Sequence, residues 1–254
     1  MTNPTLDRET PLRVLQDAID RVVDTQHDAI AAAAALGADA LAGDGVLQAF
    51  GTGHSRAFAM EITGRAGGLV PTNQLAINDL ALFGGAPAAE IIDPTCERDP
   101  GLAPRVLALH EVHPEDLFLI ASNSGINGSV VEMARLARAN GNRVVAVTSL
   151  AHSASMTSRH PSGLRLADLA DVVIDNCAVP GDAGYPLPGG SRIASTSTMT
   201  GVLIAQLITA EICARLLARG IEPPVLRSAN IDGGDAHNAV LLARYGSRVR
   251  PMEP

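Results

Sequence analysis

The stretch Leu117 to Ser129, LFLIASNSGINGS, constrains the fold more than any other part of the chain. An apolar run ends there in a small, hydroxylated, glycine-containing loop, and a helical pattern follows. That order predicts a strand, a tight turn and a helix. At such a helix start the unpaired backbone amides point outward and the helix dipole adds partial positive charge, which suits a phosphate group. Ser122 and Ser124 supply hydroxyl donors, Gly125 permits close backbone approach, and Asn127 stands where it would cap a helix beginning near Gly128. Taken alone, the segment reads equally well as an ordinary polar turn.

A second unit of the same kind raises the weight of the first. The apolar run Val46 to Phe50 enters GTGHSR and then a helical stretch, AFAMEITGRAGG. Two such loops at the carboxyl ends of parallel strands flank one crevice, which is where open α/β sheets bind ligands. Gly51-x-Gly53 lacks the third glycine of a dinucleotide fingerprint, because Arg56 stands in its place. No cofactor is expected.

Strands are predicted at Val46 to Phe50, Leu69 to Leu75, Leu117 to Ser122, Val144 to Thr148 and Val172 to Asp175, separated mostly by helical stretches such as Val130 to Ala139. Alternation of this kind implies an α/β three-layer sandwich around a five-stranded parallel sheet. Between Asp7 and Leu41, apolar residues at helical spacing and the alanine run Ala31 to Ala35 predict one or two long helices, an arm that packs on its own sheet or on a partner. The Pro- and Gly-rich segment after Asn176 reads as a long loop. The apolar stretch Met199 to Leu217 reads as a helix buried on more than one side, at a subunit interface or in a central core.

With 254 residues and 46% apolar content the chain can bury a large core. It reads as one domain, 1–254, with an N-terminal helical arm over 1–42 and a C-terminal extension over 220–254. A formal charge of -8, no tryptophan and 2% aromatic content argue against direct nucleic-acid binding. The N-terminus has no signal-peptide pattern and no apolar run approaches the roughly 18 residues of a membrane span, so a cytoplasmic protein without membrane association is expected. Cys96, Cys177 and Cys213 are widely spaced and suggest neither disulfides nor a metal site.

The loops SNSGINGSV and FGTGHS, with VVAVTS and a helix opening in STST, resemble the sugar isomerase (SIS) family of phosphosugar-binding domains over roughly residues 40 to 220. GHSRAFAMEITGRAGG and EPPVLRSANIDGGDAHN are similar to the UPF0309-type members, some of which resemble N-acetylglucosamine-6-phosphate dehydratases. The resemblance implies a phosphate held by Ser122, Ser124 and Asn127, with Ser129 as a substitute for the Ser or Thr that Asn127 replaces. Gly53, Ser55 and Asn123 complete the expected substrate-binding set. The first segment is also similar to sedoheptulose-7-phosphate isomerases, whose glutamate before Leu-Thr-Gly-Arg is matched by Glu61 before Ile62-Thr63-Gly64-Arg65. A C-terminal histidine in that family corresponds more loosely to His237.

The residues themselves leave alternatives open. Glu61, beside Phe58 and Ile62, suits proton removal next to a carbonyl, or pairs with Arg65 at i+4. His237 follows Asp232-Gly233-Gly234-Asp235 and is a candidate acid, or merely sits in the first turn of a final helix capped by Asp235. His54 in the glycine loop is a third candidate for proton transfer, or a histidine bonded to a backbone carbonyl. Asp182 is a candidate contact for the sugar end of a substrate, Asp168 and Asp171 are expected to end a helix or a turn, and His110 and His113 are expected at the surface. The resulting expectation is a lyase that removes water from an amino-sugar 6-phosphate such as N-acetylglucosamine 6-phosphate. An aldose–ketose isomerase and a non-catalytic sugar-phosphate sensor are the alternatives, and a homodimer or larger homo-oligomer is expected.

Overall fold

The computed structural model describes residues 9–250. The first eight residues of the predicted arm and the last four of the predicted extension therefore lie outside the described residues. The strands are β1 (Leu47–Gly51), β2 (Thr72–Leu75), β3 (Leu117–Ala121), β4 (Arg143–Thr148), β5 (Val172–Asp175), β6 (Ala183–Pro186) and β7 (Arg192–Ser195). The helices are α1 (Glu9–Thr25), α2 (His27–Ala42), α3 (Arg56–Ile62), α4 (Asp79–Leu82), α5 (Ala88–Ile91), α6 (Leu102–Leu107), α7 (Gly128–Ala139), α8 (Leu150–Ala154), α9 (Ser197–Ala218) and α10 (Gly234–Tyr245).

β1 to β5 form one parallel sheet in the order β2-β1-β3-β4-β5. Alternate residues of a strand point to opposite faces, and the two cores follow that period. Leu117, Leu119 and Ala121 of β3 face a layer made by α2, α3 and α9, with Ala34, Phe58, Ile204, Ile208 and Ile212 buried among them. Phe118 and Ile120 face α6 and α7, where Val106, Val130 and Met133 are buried. These two layers around the sheet are the expected αβα sandwich.

Four local expectations are corrected. The strand over Leu69 to Leu75 is shorter, because Gly67 to Val70 instead pairs with Pro224 to Leu226 in an antiparallel bridge, and Pro71 lies between the two pairings. The Pro- and Gly-rich loop contains the β6–β7 hairpin, packed on α1; a Cβ at Gly184 would stand 2.4 Å from Val14 Cγ1, so glycine permits that contact. His110 is not a surface residue: its side chain is 1% exposed and its Nε2 lies 3.3 Å from Asp79 Oδ2. His113, by contrast, is partly exposed. α9 is long and apolar enough to cross a membrane by length and composition, contrary to the expectation that no run approaches that length. Its stripe Ile204, Ile208, Ile212 and Leu216 packs on α2 and α3, while Gln206 and Leu217 remain exposed.

The C-terminal segment returns to the amino edge of the sheet. Arg248 Nη2 donates to the buried Asp116 at 2.5 Å, and Asn73 bonds both Arg248 O and Arg250 N. Asp116 also accepts from Val46 N and Gln48 Nε2, so one carboxylate ties strand starts and the C-terminal segment together.

Candidate functional site

The chain leaves β1 for β2 on one side and leaves β3 for β4 on the other, so the carboxyl ends of β1 and β3 form the switch point of the sheet. The loop after β1 is short because Gly51 has no side chain: a Cβ there would lie 2.4 Å from Ser55 O. Gly53 adopts φ +54 and starts the turn Gly53–Ser55. The loop after β3 is folded by Ser122, whose Oγ accepts from Gly125 N at 3.1 Å. Gly125 has φ +64, and a Cβ there would meet Thr148 Oγ1 at 2.9 Å. Asn123 is fixed through its carbonyl, which accepts from Ser149 N at 3.0 Å, and through Oδ1, which accepts from Asn176 Nδ2 at 3.1 Å.

These loops and the first turn of α9 line a crevice formed by His54, Ser55, Phe58, Ser122, Asn123, Asn176, Ser197 and Thr198, among others. Ser124 lies in the same loop. The His54 imidazole and the Ser55 and Ser124 hydroxyls make no hydrogen bond within the described residues, and neither do the N–H groups of Asn123 and Ser124. Unspent amides and hydroxyls at a helix-flanked turn can bind an anion without any lysine or arginine. Asp182 contributes from a distance. It does not face the crevice as a sugar contact; its Oδ1 accepts from Thr196 N at 3.1 Å and Ser197 N at 2.8 Å, and its Oδ2 from Ser197 Oγ at 2.9 Å. It caps the helix that presents Ser197 and Thr198, a long-range cap that local sequence does not announce.

Two of the predicted phosphate ligands are spent elsewhere. Asn127 occupies the N-cap position of α7 but makes no cap bond; its Nδ2 donates to Glu97 Oε1 at 2.7 Å and its Oδ1 accepts from Arg159 at 2.6 Å. Ser129 is fully buried and its Oγ donates to Glu97 O at 2.8 Å, so its hydroxyl does not reach the crevice. Glu97 was not singled out from the sequence, where it sits in a charged stretch, ERD, with no flanking pattern. Its Oε2 also accepts from Thr52 Oγ1 at 2.5 Å, so it joins the loops after β1 and β3.

Within one chain, Glu61 and His237 are not brought to this crevice. α3 runs back from the crevice as a crossover between parallel strands, and Glu61 lies in its last turn, paired with Arg65 and hydrogen-bonded by Gln206 of α9. Its carboxylate is only 17% exposed. His237 Nε2 lies 3.0 Å from Val225 O, beside the segment that pairs with Gly67 to Val70 ahead of β2. That segment is at the amino edge of the sheet, a full strand length from the crevice. Asp235 makes no cap bond to α10, whose N-cap position is Gly233.

A second cavity of about 310 Å³ adjoins the other side of the β1 loop, lined by Thr52, Gly53, Arg56, Asn78, Cys96 and Glu97 with the apolar Ile77, Ile91 and Ile92. Burial first, then the Glu97 and Asp93 charges, push the Cys96 thiol above its ordinary value. A shift in that direction disfavours the thiolate that a nucleophilic role would need. Among the described residues, no three His, Cys, Asp or Glu side chains converge to hold a metal ion, and the three cysteines are free.

Residues 12–149 match the SIS domain. The chain is 42% identical over 234 residues to a UPF0309 protein of Streptomyces coelicolor, covering 92% of each. It is 37% identical over 232 residues to one of Listeria monocytogenes, covering 91% of this chain and 92% of the relative. Among solved structures it is similar to the phosphoheptose isomerase of Neisseria gonorrhoeae, with a TM-score of 0.55 and 20% identity over 81% of this chain and 96% of that one. The phosphoheptose isomerase of Francisella tularensis gives a TM-score of 0.55 and 19% identity over 80% and 95%. At that identity the likeness speaks for the fold, and the five-stranded parallel sheet between helical layers is the SIS fold. The crevice, its order of loops and the relatives agree: the chain belongs to the SIS domain family, and within it to the UPF0309 group.

Proposed function

We propose that this chain is a cytoplasmic enzyme that binds a sugar phosphate in the crevice after β1 and β3 and moves a proton on the carbon next to the carbonyl, interconverting aldose and ketose. The observation that carries the reading is the set of unspent donors at the switch point: the Ser55 and Ser124 hydroxyls, the N–H groups of Asn123 and Ser124, and the Thr198 hydroxyl in the first turn of α9. Phosphate supplies the charge and acceptor oxygens such a set needs. Isomerisation is supported over dehydration by the phosphoheptose isomerases that share the fold. The two reactions share their first step, removal of the carbon-2 proton to give an enolate, and then diverge. Isomerisation returns a proton to carbon 1, whereas dehydration of N-acetylglucosamine 6-phosphate expels the 3-hydroxyl.

Glu61 is the proposed carbon base and His237 the proposed acid, and both serve the crevice of a second copy. Neither residue lines its own crevice, which supports this arrangement. Met60, exposed next to Glu61, and Leu217, exposed near the end of α9, fit a homo-oligomer. Light scattering at micromolar concentration is expected to give at least a dimer, and a monomer mass removes Glu61 and His237 from the mechanism.

The test combines calorimetry with proton NMR in heavy water, using sedoheptulose 7-phosphate, N-acetylglucosamine 6-phosphate and their unphosphorylated sugars. Preference for the phosphorylated forms and deuterium incorporation at the carbon next to the carbonyl are expected, and the product identifies isomerisation or dehydration. Equal affinity with and without phosphate overturns the phosphate site. Tight binding without exchange favours the sensor reading.

A further inference from the structure

Glu97 is the carboxylate that stands where the loops after β1 and β3 meet. Thr52 donates to its Oε2 at 2.5 Å and Asn127 to its Oε1 at 2.7 Å. Each bond uses one lone pair of an oxygen that has two, so both oxygens retain acceptor capacity. Three observations direct that capacity toward a ligand. Glu97 lines the cavity of about 310 Å³ beside the β1 loop, a volume at the low end of the range for small-molecule sites. Gly53, next to the crevice residue His54, separates crevice from cavity and presents no side chain. The one heavy atom within 4 Å of a Cβ built there, outside its chain neighbours, is Glu97 Oε2 at 3.8 Å. The other carboxylate lining the cavity, Asp93, is turned onto Thr95 N and Oγ1 at 2.7 and 2.8 Å.

We infer that the cavity beside Gly53 takes the polyol end of a sugar phosphate whose phosphate sits in the adjoining crevice, and that Glu97 is the acid–base group acting on the sugar's oxygens. The inference rests on the sugar-phosphate reading above and supplies what that reading lacks, a carboxylate of the same chain in the cavity that adjoins the crevice. In the acid form, Glu97 gives its proton to the carbonyl oxygen while the carbon base removes the carbon-2 proton, and the electron pair of that C–H bond becomes the carbon–carbon double bond of an enediol. Glu97, now a carboxylate, takes the proton of the 2-hydroxyl as the carbonyl forms at carbon 2, and the base returns its proton to carbon 1. Every proton is returned and no redox partner is needed. The bland role for Glu97 is a tie between two loops, and the test must separate the two roles.

Glu97→Gln does so, because its Oε1 keeps the bond from Asn127 while its Nε2 donates to the Thr52 hydroxyl, which turns to accept. The full chain is assayed as wild type, Glu97→Gln and Glu97→Asp with sedoheptulose 7-phosphate and N-acetylglucosamine 6-phosphate, following heat denaturation, calorimetric affinity, and exchange and turnover in heavy water. The expected result for Glu97→Gln is an unchanged melting temperature and affinity with kcat and exchange lower by roughly 10²-fold or more. Glu97→Asp, which restores a carboxylate on a shorter arm, recovers part of the loss and carries the test if the Gln variant does not fold. Exchange and turnover at the wild-type rate in Glu97→Gln overturn the role of Glu97 while leaving the sugar-phosphate reading intact. A wild-type protein that binds neither compound overturns that reading and the inference with it.

Discussion

Replacing Asp182 with Ala tests the least local feature of the crevice. Thr196, at the N-cap position of the 22-residue helix α9, makes no side-chain cap bond, and its own N–H and that of Ser197, the first helical residue, are satisfied by Asp182 at 3.1 and 2.8 Å. Loss of a helix cap costs about 1 kcal/mol and up to ~2. Asp182 also has φ +69, a left-handed conformation that Asp and Asn adopt more readily than Ala, and placing Ala there adds ~1 kcal/mol. The sum is about 2–3 kcal/mol, which for a chain of this size lowers the melting temperature by about 4–12 °C. Asp182→Asn retains Oδ1 as acceptor for both N–H groups and tolerates the backbone, and its Nδ2 donates to the Ser197 hydroxyl, which turns to accept, so its main loss is the charge at the helix N-terminus, worth about 0.3–1 kcal/mol. Calorimetric melting of the three proteins gives the ranking wild type, Asn, Ala. An Ala variant that melts with the wild type, or an Asn variant as unstable as Ala, refutes the capping argument.

Ser124→Ala removes a hydroxyl that has no partner among the described residues, so stability is unchanged while affinity for a sugar phosphate falls by about 1–3 kcal/mol on calorimetry. Gly51→Ala puts a Cβ 2.4 Å from Ser55 O and 3.2 Å from Arg56 N, both backbone atoms that cannot rotate away; urea denaturation is expected to show a loss of about 1–3 kcal/mol, with weaker phosphate binding. Glu132 is held below its ordinary value of 4.5 by its hydrogen bonds from Arg135 first and His160 next. Its folded pKa being depressed, its stabilising contribution is complete above 4.5 and is lost as pH falls through the folded value. Urea midpoints measured down the acid range should therefore fall less steeply for Glu132→Gln than for the wild type, and parallel curves refute the coupling.

The two strand–loop–helix units were legible because their signals are local. A mostly apolar run, a glycine at positive φ and a helix start follow one another closely at Leu117 to Ser129 and again at Val46 to Ile62, and the five sheet strands are likewise marked by local apolar runs. Ser55, Ser122 and Asn123 reached the crevice for that reason. What the sequence could not determine depends on which distant segments meet. Asn127 and Ser129 carry the right chemistry in the right loop, yet a carboxylate and a carbonyl from residue 97 consume them. Asp182 reads as a free acid in a Pro- and Gly-rich loop, and only the hairpin that folds it back makes it the cap of α9. Glu61 and His237 fit a catalytic pattern by their neighbours, but the direction of α3 and the pairing of Val225 carry both away from their own crevice. Local periodicity fixes the elements because backbone hydrogen bonding and burial act over a few residues. The partners of each polar side chain are fixed by contacts between residues far apart in the chain, which only the folded arrangement supplies.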